Sequence, residues 1–276
     1  MTVLHLAPCA VLRSHPHLPS RPGMAMYSFL TVLAMAWLAA GEPTNLASGN
    51  GTGEASGNLR KPPQLPPDVP TASGPSCLCV FDIDRTLTGK QGTARNDCPA
   101  DKEIFGVWDT AYGLGFLTIS EAGQNLQNTF CKKCYMGIVS HGIATGRNSG
   151  KRSYLLQHVL VSKPFQALLH SNVQAAQWSI GTVHSPLVLG WPDGEKQNAV
   201  SDIVRWYKQQ GIDVLDQDVY FFGDRTENIP PFNSTNFNAR EISCASRDMS
   251  HGDGIIGLCG ATRDEIVDVK GVFGCL

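Results

Sequence analysis

Cys77-Leu78-Cys79-Val80-Phe81-Asp82-Ile83-Asp84-Arg85-Thr86-Leu87-Thr88 is an apolar run that ends abruptly in two carboxylates two residues apart, followed by hydroxyls. Residues 77–81 are short and apolar enough for a strand covered on both faces. Two carboxylates are expensive to bury unpaired inside a sheet. They belong at the strand's carboxyl end, where open α/β sheets bind their ligands. The stretch reads as a buried strand that delivers a reactive loop.

Working outward, other apolar runs repeat the pattern. Residues 104–118 suit a small hairpin or flap, Ser120-Glu121 opens a helix to about Lys133, and residues 135–139 form a second strand that ends at Ser140. Helices are expected over about 151–161 and 166–177, and a third strand over 185–189. Asp193-Gly194-Glu195-Lys196 opens an amphipathic helix with Val200, Ile203, Val204 and Tyr207 at helical spacing, and Gly211 stops it. A fourth strand over 219–222 runs into Gly223-Asp224, and residues 240–244 give a fifth. Thr262-Arg263-Asp264-Glu265 has the form of a capping box that starts a last short helix. This alternation predicts an α/β domain with a parallel sheet covered by helices.

The chain has 276 residues with 42% hydrophobic composition, enough to build a core. A net charge of -2 and the lack of a basic stripe argue against nucleic acid as a partner. Residues 24–40 are uncharged and apolar, preceded by Arg13 and Arg21, so residues 1–40 read as a secretory signal peptide or leader. An uncleaved signal anchor is the competing reading, and the only one that brings in a membrane. A two-part organelle-targeting leader is another, and a start at Met24 or Met26 would shorten the segment. Residues 41–75, rich in Gly, Pro and Ser, read as a disordered linker, which leaves residues 76–276 as the folded domain.

Cysteine usage fits secretion. Of nine cysteines, Cys9 falls in the leader region, and eight remain for disulfides in an oxidising compartment. Eight cysteines allow about a hundred pairings, of which Cys244–Cys259 is the first expectation. Cys131-x-x-Cys134 is weighed as a redox pair or half a zinc site with Cys77-x-Cys79, and a structural disulfide is preferred. Asn50 and Asn233 lie in glycosylation sequons.

Polar residues fall just after the expected strands: Asp82 and Asp84, then Ser140, then Asp224, with Lys196 opening the helix between the last two. In a parallel sheet these strand ends converge on one rim. The order resembles the haloacid dehalogenase superfamily, with its Asp-x-Asp-x-Thr, a Ser or Thr, a Lys and a later acidic motif, over about Ser76 to Asn228. The resemblance implies a Rossmann-like core with helices on both faces, here with a small flap and no large cap. It also implies that an Asp two residues after the nucleophile favours phosphomonoester hydrolysis, and that weakly capped members have open sites and often accept larger or macromolecular substrates; the expected partner here is a phosphorylated small molecule or macromolecule. Thr86 completes the first motif and is expected at the substrate. In Gly223-Asp224-Arg225-Thr226-Glu227-Asn228, Asn228 stands where a second Asp is common.

The chemistry is also arguable from the residues. An ionised carboxylate needs no base, so Asp82 is able to attack phosphorus directly. Attack on a phosphate dianion brings like charges together. Asp82, Asp224 and the backbone carbonyl near Asp84, with Asn228 through water, offer the hard oxygen ligands that Mg²⁺ prefers. Lys196 is expected to neutralise charge, Ser140 to donate to a phosphoryl oxygen, and Asp84 to serve as acid and then base. Thr145 is the alternative to Ser140, and His141 lies beside the expected rim. An EF-hand starting at Asp82 fails, with Leu87 at the sixth position and Thr93 at the twelfth. Residues 145–151 miss a phosphate loop, because Arg152 follows Lys151 where Ser or Thr is needed, although Arg147 is kept as a candidate substrate contact. The rival reading is a catalytically silent binding protein of the same fold.

Overall fold

The structure is a computed structural model that describes residues 77–275; the leader, the linker, Cys9 and Asn50 lie outside the described residues. In chain order come β1 (Leu78–Phe81), a hairpin of β2 (Lys102–Asp109) and β3 (Gly115–Ile119), α1 (Glu121–Asn125), β4 (Tyr135–Val139), α2 (Gly150–Tyr154) and α3 (Lys163–Ser171). They are followed by β5 (Trp178–Ile180), β6 (Leu187–Leu189), α4 (Lys196–Gln209), β7 (Val219–Gly223), β8 (Asn238–Glu241) and β9 (Val272–Phe273). Seven strands form one all-parallel sheet in the order β5-β6-β4-β1-β7-β8-β9, and β2 and β3 pair antiparallel outside it. This is the expected α/β, Rossmann-like architecture.

All four residues of β1 are buried, as a strand covered on both faces requires. On one face, the Phe81 and Phe222 rings stack at 5.4 Å, and Phe130 packs on Phe222. On the other, Phe232 stacks on Phe221, and a Cβ added at Gly137 would meet Ile203 of α4. Phe81 is in register with Ile138 of β4 and Phe222 of β7, so the carboxyl ends of these three strands lie side by side. The chain leaves β1 toward β4 on one side and continues from β7 to β8 on the other. The crevice at β1 is the topological switch point where such sheets bind ligands.

Five expectations change. The helix expected over 120–133 breaks after α1 into short turns, because the Thr129 hydroxyl bonds the Leu126 carbonyl and the Cys131 N–H. Those turns carry Cys131 and Cys134 to disulfides with Cys79 and Cys77. The last helix is a single turn at Arg263–Glu265, although its capping box is present. The third strand begins at Leu187, since the Ser185 hydroxyl is occupied by the Gln177 carbonyl, and the fifth ends at Glu241, before Ser243 turns left-handed at φ 60°. The edge strands β5 and β9 are additions. Finally, Cys244 pairs with Cys275 and Cys259 with Cys98, in place of Cys244–Cys259. β9 lies beside β8, which brings the end of the chain to Cys244.

Four disulfides fit an oxidising compartment, and Asn233 is exposed. No helix among the described residues is long and apolar enough to cross a membrane. Asp101 lies buried near the Cys98–Cys259 bridge and accepts the Gly260 N–H at 3.1 Å. Burial pushes its carboxyl up to about 6, against the pull of that N–H. A folded value above the unfolded one means that the fold prefers the protonated acid. This contribution is complete below about pH 4 and fades as pH rises through about 6. Asp101→Asn should therefore gain stability over wild type from pH 4 to pH 7, by on the order of 2–3 kcal/mol. Paired thermal melts at the two pH values test this, and a pH-independent difference would refute the account.

Candidate active site

A cleft of about 210 Å³ opens at the carboxyl ends of β1, β4 and β7, lined by the candidates Asp82, Asp84, Ser140 and Asp224 together with Tyr112, Asp193 and Arg225. Asp82 follows β1 directly. Its backbone N–H bonds Phe222 at 2.9 Å, and its Oδ1 accepts the Ile83 N–H at 2.7 Å. Its Oδ2 accepts from Lys196 Nζ at 2.9 Å, and the same ammonium reaches the Val139 carbonyl at 3.1 Å. Lys196 is fully buried at the first turn of α4, where the helix dipole disfavours a cation. Helix preference does not put a lysine there; the pairing with Asp82 accounts for its place.

Asp224 follows β7 and accepts the Gly257 N–H at 3.2 Å. Its carboxyl is pushed well above the usual range, first by burial and then by the charge of Asp82, with the Gly257 N–H pulling the other way. Ser140 is buried at the end of β4, its backbone fixed by Val188 and Trp191. Thr145, the alternative, turns away from the cleft: with φ 64° it bonds Asp109 at the hairpin through its hydroxyl.

The loop after β1 is a single wide turn closed by the Thr88 N–H on the Ile83 carbonyl, with Arg85 left-handed at φ 64°. A non-glycine residue there is strained. Buried contacts hold it: Arg85 Nη1 bonds the Gly257 carbonyl at 2.6 Å and Asp248 at 3.0 Å, and the guanidinium sits 4.0 Å from the Tyr112 ring centre. Tyr112, at the hairpin tip, keeps its proton, because burial and then the Asp224 and Asp84 charges push the phenol up.

Three candidates stand apart from the cleft. Thr86 is buried, and its backbone carbonyl receives Ala261. Arg147 lines a separate cavity with Arg152 and Trp178, because its loop is drawn toward the hairpin by Thr145. Asn228 accepts the Gly194 N–H at 2.7 Å and donates to Asp193 at 3.0 Å, so its amide braces the Asp193 loop.

Asp193, Lys151 and Asp109, like Tyr112 and Arg225, are residues of the site that are not among the sequence candidates. Asp193 faces Lys196 at 3.5 Å, Arg225 at 3.4 Å and His141 at 3.5 Å. Lys151, fully buried, bonds Asp84 Oδ1 at 2.5 Å and both oxygens of Asp109 at 2.9 Å. Burial alone would lower its pKa, but Asp84 and Asp109 outweigh that and raise it, so Lys151 is a permanent cation. The sequence signal for Lys151 was the near-miss phosphate loop that contains it. Asp109 and Asp193 carry no comparable mark. The Cys131 and Cys134 pair belongs to disulfides, and the Cys98, Asp101 and Cys259 group also contains a disulfide, so neither forms a metal site.

The cleft holds four carboxylates, Asp82, Asp84, Asp193 and Asp224, against Lys196, Lys151 and Arg225. Such an excess of oxygen-donor acids suits a hard divalent cation, with Asp82 and Asp224 as the closest-coupled donors. No family model, no curated protein and no solved structure matches this chain.

Proposed function

We propose that the chain is a Mg²⁺-dependent phosphatase of the haloacid dehalogenase type, which hydrolyses a phosphomonoester through a phosphorylated Asp82. The observation that carries this reading is the buried Asp82–Lys196 pair at 2.9 Å with Asp224 beside it and Asp84 two residues away, all at one strand rim. Mg²⁺ held by Asp82, Asp224 and the backbone near Asp84 would offset the charge between carboxylate and phosphate.

The chain's own groups account for the rest. Lys196 holds one oxygen of Asp82 and neutralises charge on the phosphoryl group. The Ser140 hydroxyl donates to a phosphoryl oxygen. Asp82 forms the bond to phosphorus as the bond to the ester oxygen breaks, and Asp84 passes its proton to that oxygen. Water then attacks phosphorus, Asp84 takes a proton from it, and Asp82 is released. The phosphorylated substrate is a small molecule or a macromolecule, since the opening carries the hairpin and no cap domain among the described residues. The disulfides and the exposed Asn233 sequon support a location in the secretory pathway.

The full chain should release phosphate from an aryl phosphate in Mg²⁺, lose that activity in a chelator and regain it on addition of Mg²⁺. Undiminished activity in the chelator sinks the metal role, and no hydrolysis of any ester favours a silent binding protein.

A further inference from the structure

The hairpin and the candidate acid Asp84 come from distant parts of the chain, and one side chain joins them. Lys151, at the start of α2, reaches Asp84 Oδ1 at 2.5 Å and clasps both oxygens of Asp109, the last residue of β2, at 2.9 Å. Asp109 also receives the Ala111 N–H at 3.1 Å and the Thr145 hydroxyl at 3.2 Å, so it fixes the start of the hairpin tip that brings Tyr112 into the cleft. We propose that Lys151 is a positioning residue that orients Asp84 for proton transfer and locks it to the hairpin tip; this rests on the phosphatase reading above.

The geometry gives three reasons. First, Lys151 occupies Oδ1 and leaves Oδ2 as the oxygen for the substrate. Oδ2 points at Gly142 on the cleft wall, where an added Cβ would sit 3.1 Å away, so the wall is bare where that oxygen needs room. Second, both oxygens of Asp109 hold Lys151 at 2.9 Å independently of Asp84, so the ammonium is a fixed and compensated anchor point for the Asp84 side chain. Third, Lys151 and Asp109 are both fully buried, and a surface-charge role does not account for them.

The step that Lys151 serves is proton delivery from Asp84 to the departing oxygen. That step matters when the leaving group is a poor one and hardly at all when it departs unaided. The test therefore compares p-nitrophenyl phosphate, with a good leaving group, and β-glycerol phosphate, with a poor one, in Mg²⁺. In Lys151→Met, the single-turnover rate of alcohol release, which isolates this step from the later hydrolysis in which Asp84 is the base for both esters, should fall about 100-fold on the alkyl ester and stay within about fivefold of wild type on the aryl ester. A merely structural role would lower both together. Should Lys151→Met unfold by stranding Asp109, the Lys151→Met/Asp109→Leu pair leaves no unpaired charge at that position and should show the same split. Equal losses on the two esters in the folded variant overturn the inference alone. Hydrolysis of neither ester by the wild-type chain overturns the phosphatase reading and this inference with it.

Discussion

Asp82→Asn should lower phosphate release by at least about 10³-fold, because it removes the nucleophile of the proposed mechanism and leaves the rest of the cleft in place. The substitution keeps the side-chain volume and the oxygen that receives the Ile83 N–H. It turns an amide toward Lys196, so a urea melt must accompany the assay to separate lost chemistry from lost fold. Incubation of the wild-type chain with substrate and rapid acid quench should trap a phosphate on Asp82 that hydroxylamine removes; the variant should carry none. Activity in the variant within tenfold of wild type, or trapped phosphate elsewhere, would assign the attack to another group.

Lys196→Met should be costly twice. Phosphate release should fall at least about 100-fold, since the phosphoryl charge loses a fixed cation that needs no reorganisation. Stability should fall by about 3–5 kcal/mol, because Asp82 would remain buried beside Asp224 without its partner. The sign is informative when Asp82→Asn is added to Lys196→Met: with no charge to strand, the double variant should recover part of the lost stability while remaining inactive. A Lys196→Met chain with the urea midpoint of wild type would mean that the pair contributes nothing to the fold.

Much of this arrangement is visible in the chain before it folds, for a definite reason. β1, β4 and β7 are short apolar runs that end in polar residues, and central strands buried on both faces leave that signature. Asp82, Ser140 and Asp224 follow from it directly, and Lys196 follows from an amphipathic helix whose first turn carries a cation. The edge strands do not show. β5 and β9 have three and two residues and take their extended shape from the neighbours they pair with. Lys151 and Asp109 were hidden for a different reason. Neither ends a strand of the main sheet, and they meet only because the hairpin folds back over α2, a contact that no local pattern encodes. Cysteine proximity in sequence misled in the same way, since Cys244, just past β8, pairs with Cys275, just past the neighbouring β9, and passes over Cys259, the nearer in sequence.

The two bridges between Cys77 and Cys134 and between Cys79 and Cys131 join the entry of β4 to β1, at the opposite end from the carboxylates. They touch none of the reacting groups. Their effect is that of a clamp at the handle of a pair of tongs: sliding or twisting of one strand against the other is restrained, and the spacing between Asp82 and Ser140 at the far tips is held with it. In-line displacement tolerates misplacement of the reacting atoms by only a fraction of an ångström. A chain suited to an oxidising compartment thus sets the alignment of its cleft by covalent bonds made where no chemistry occurs.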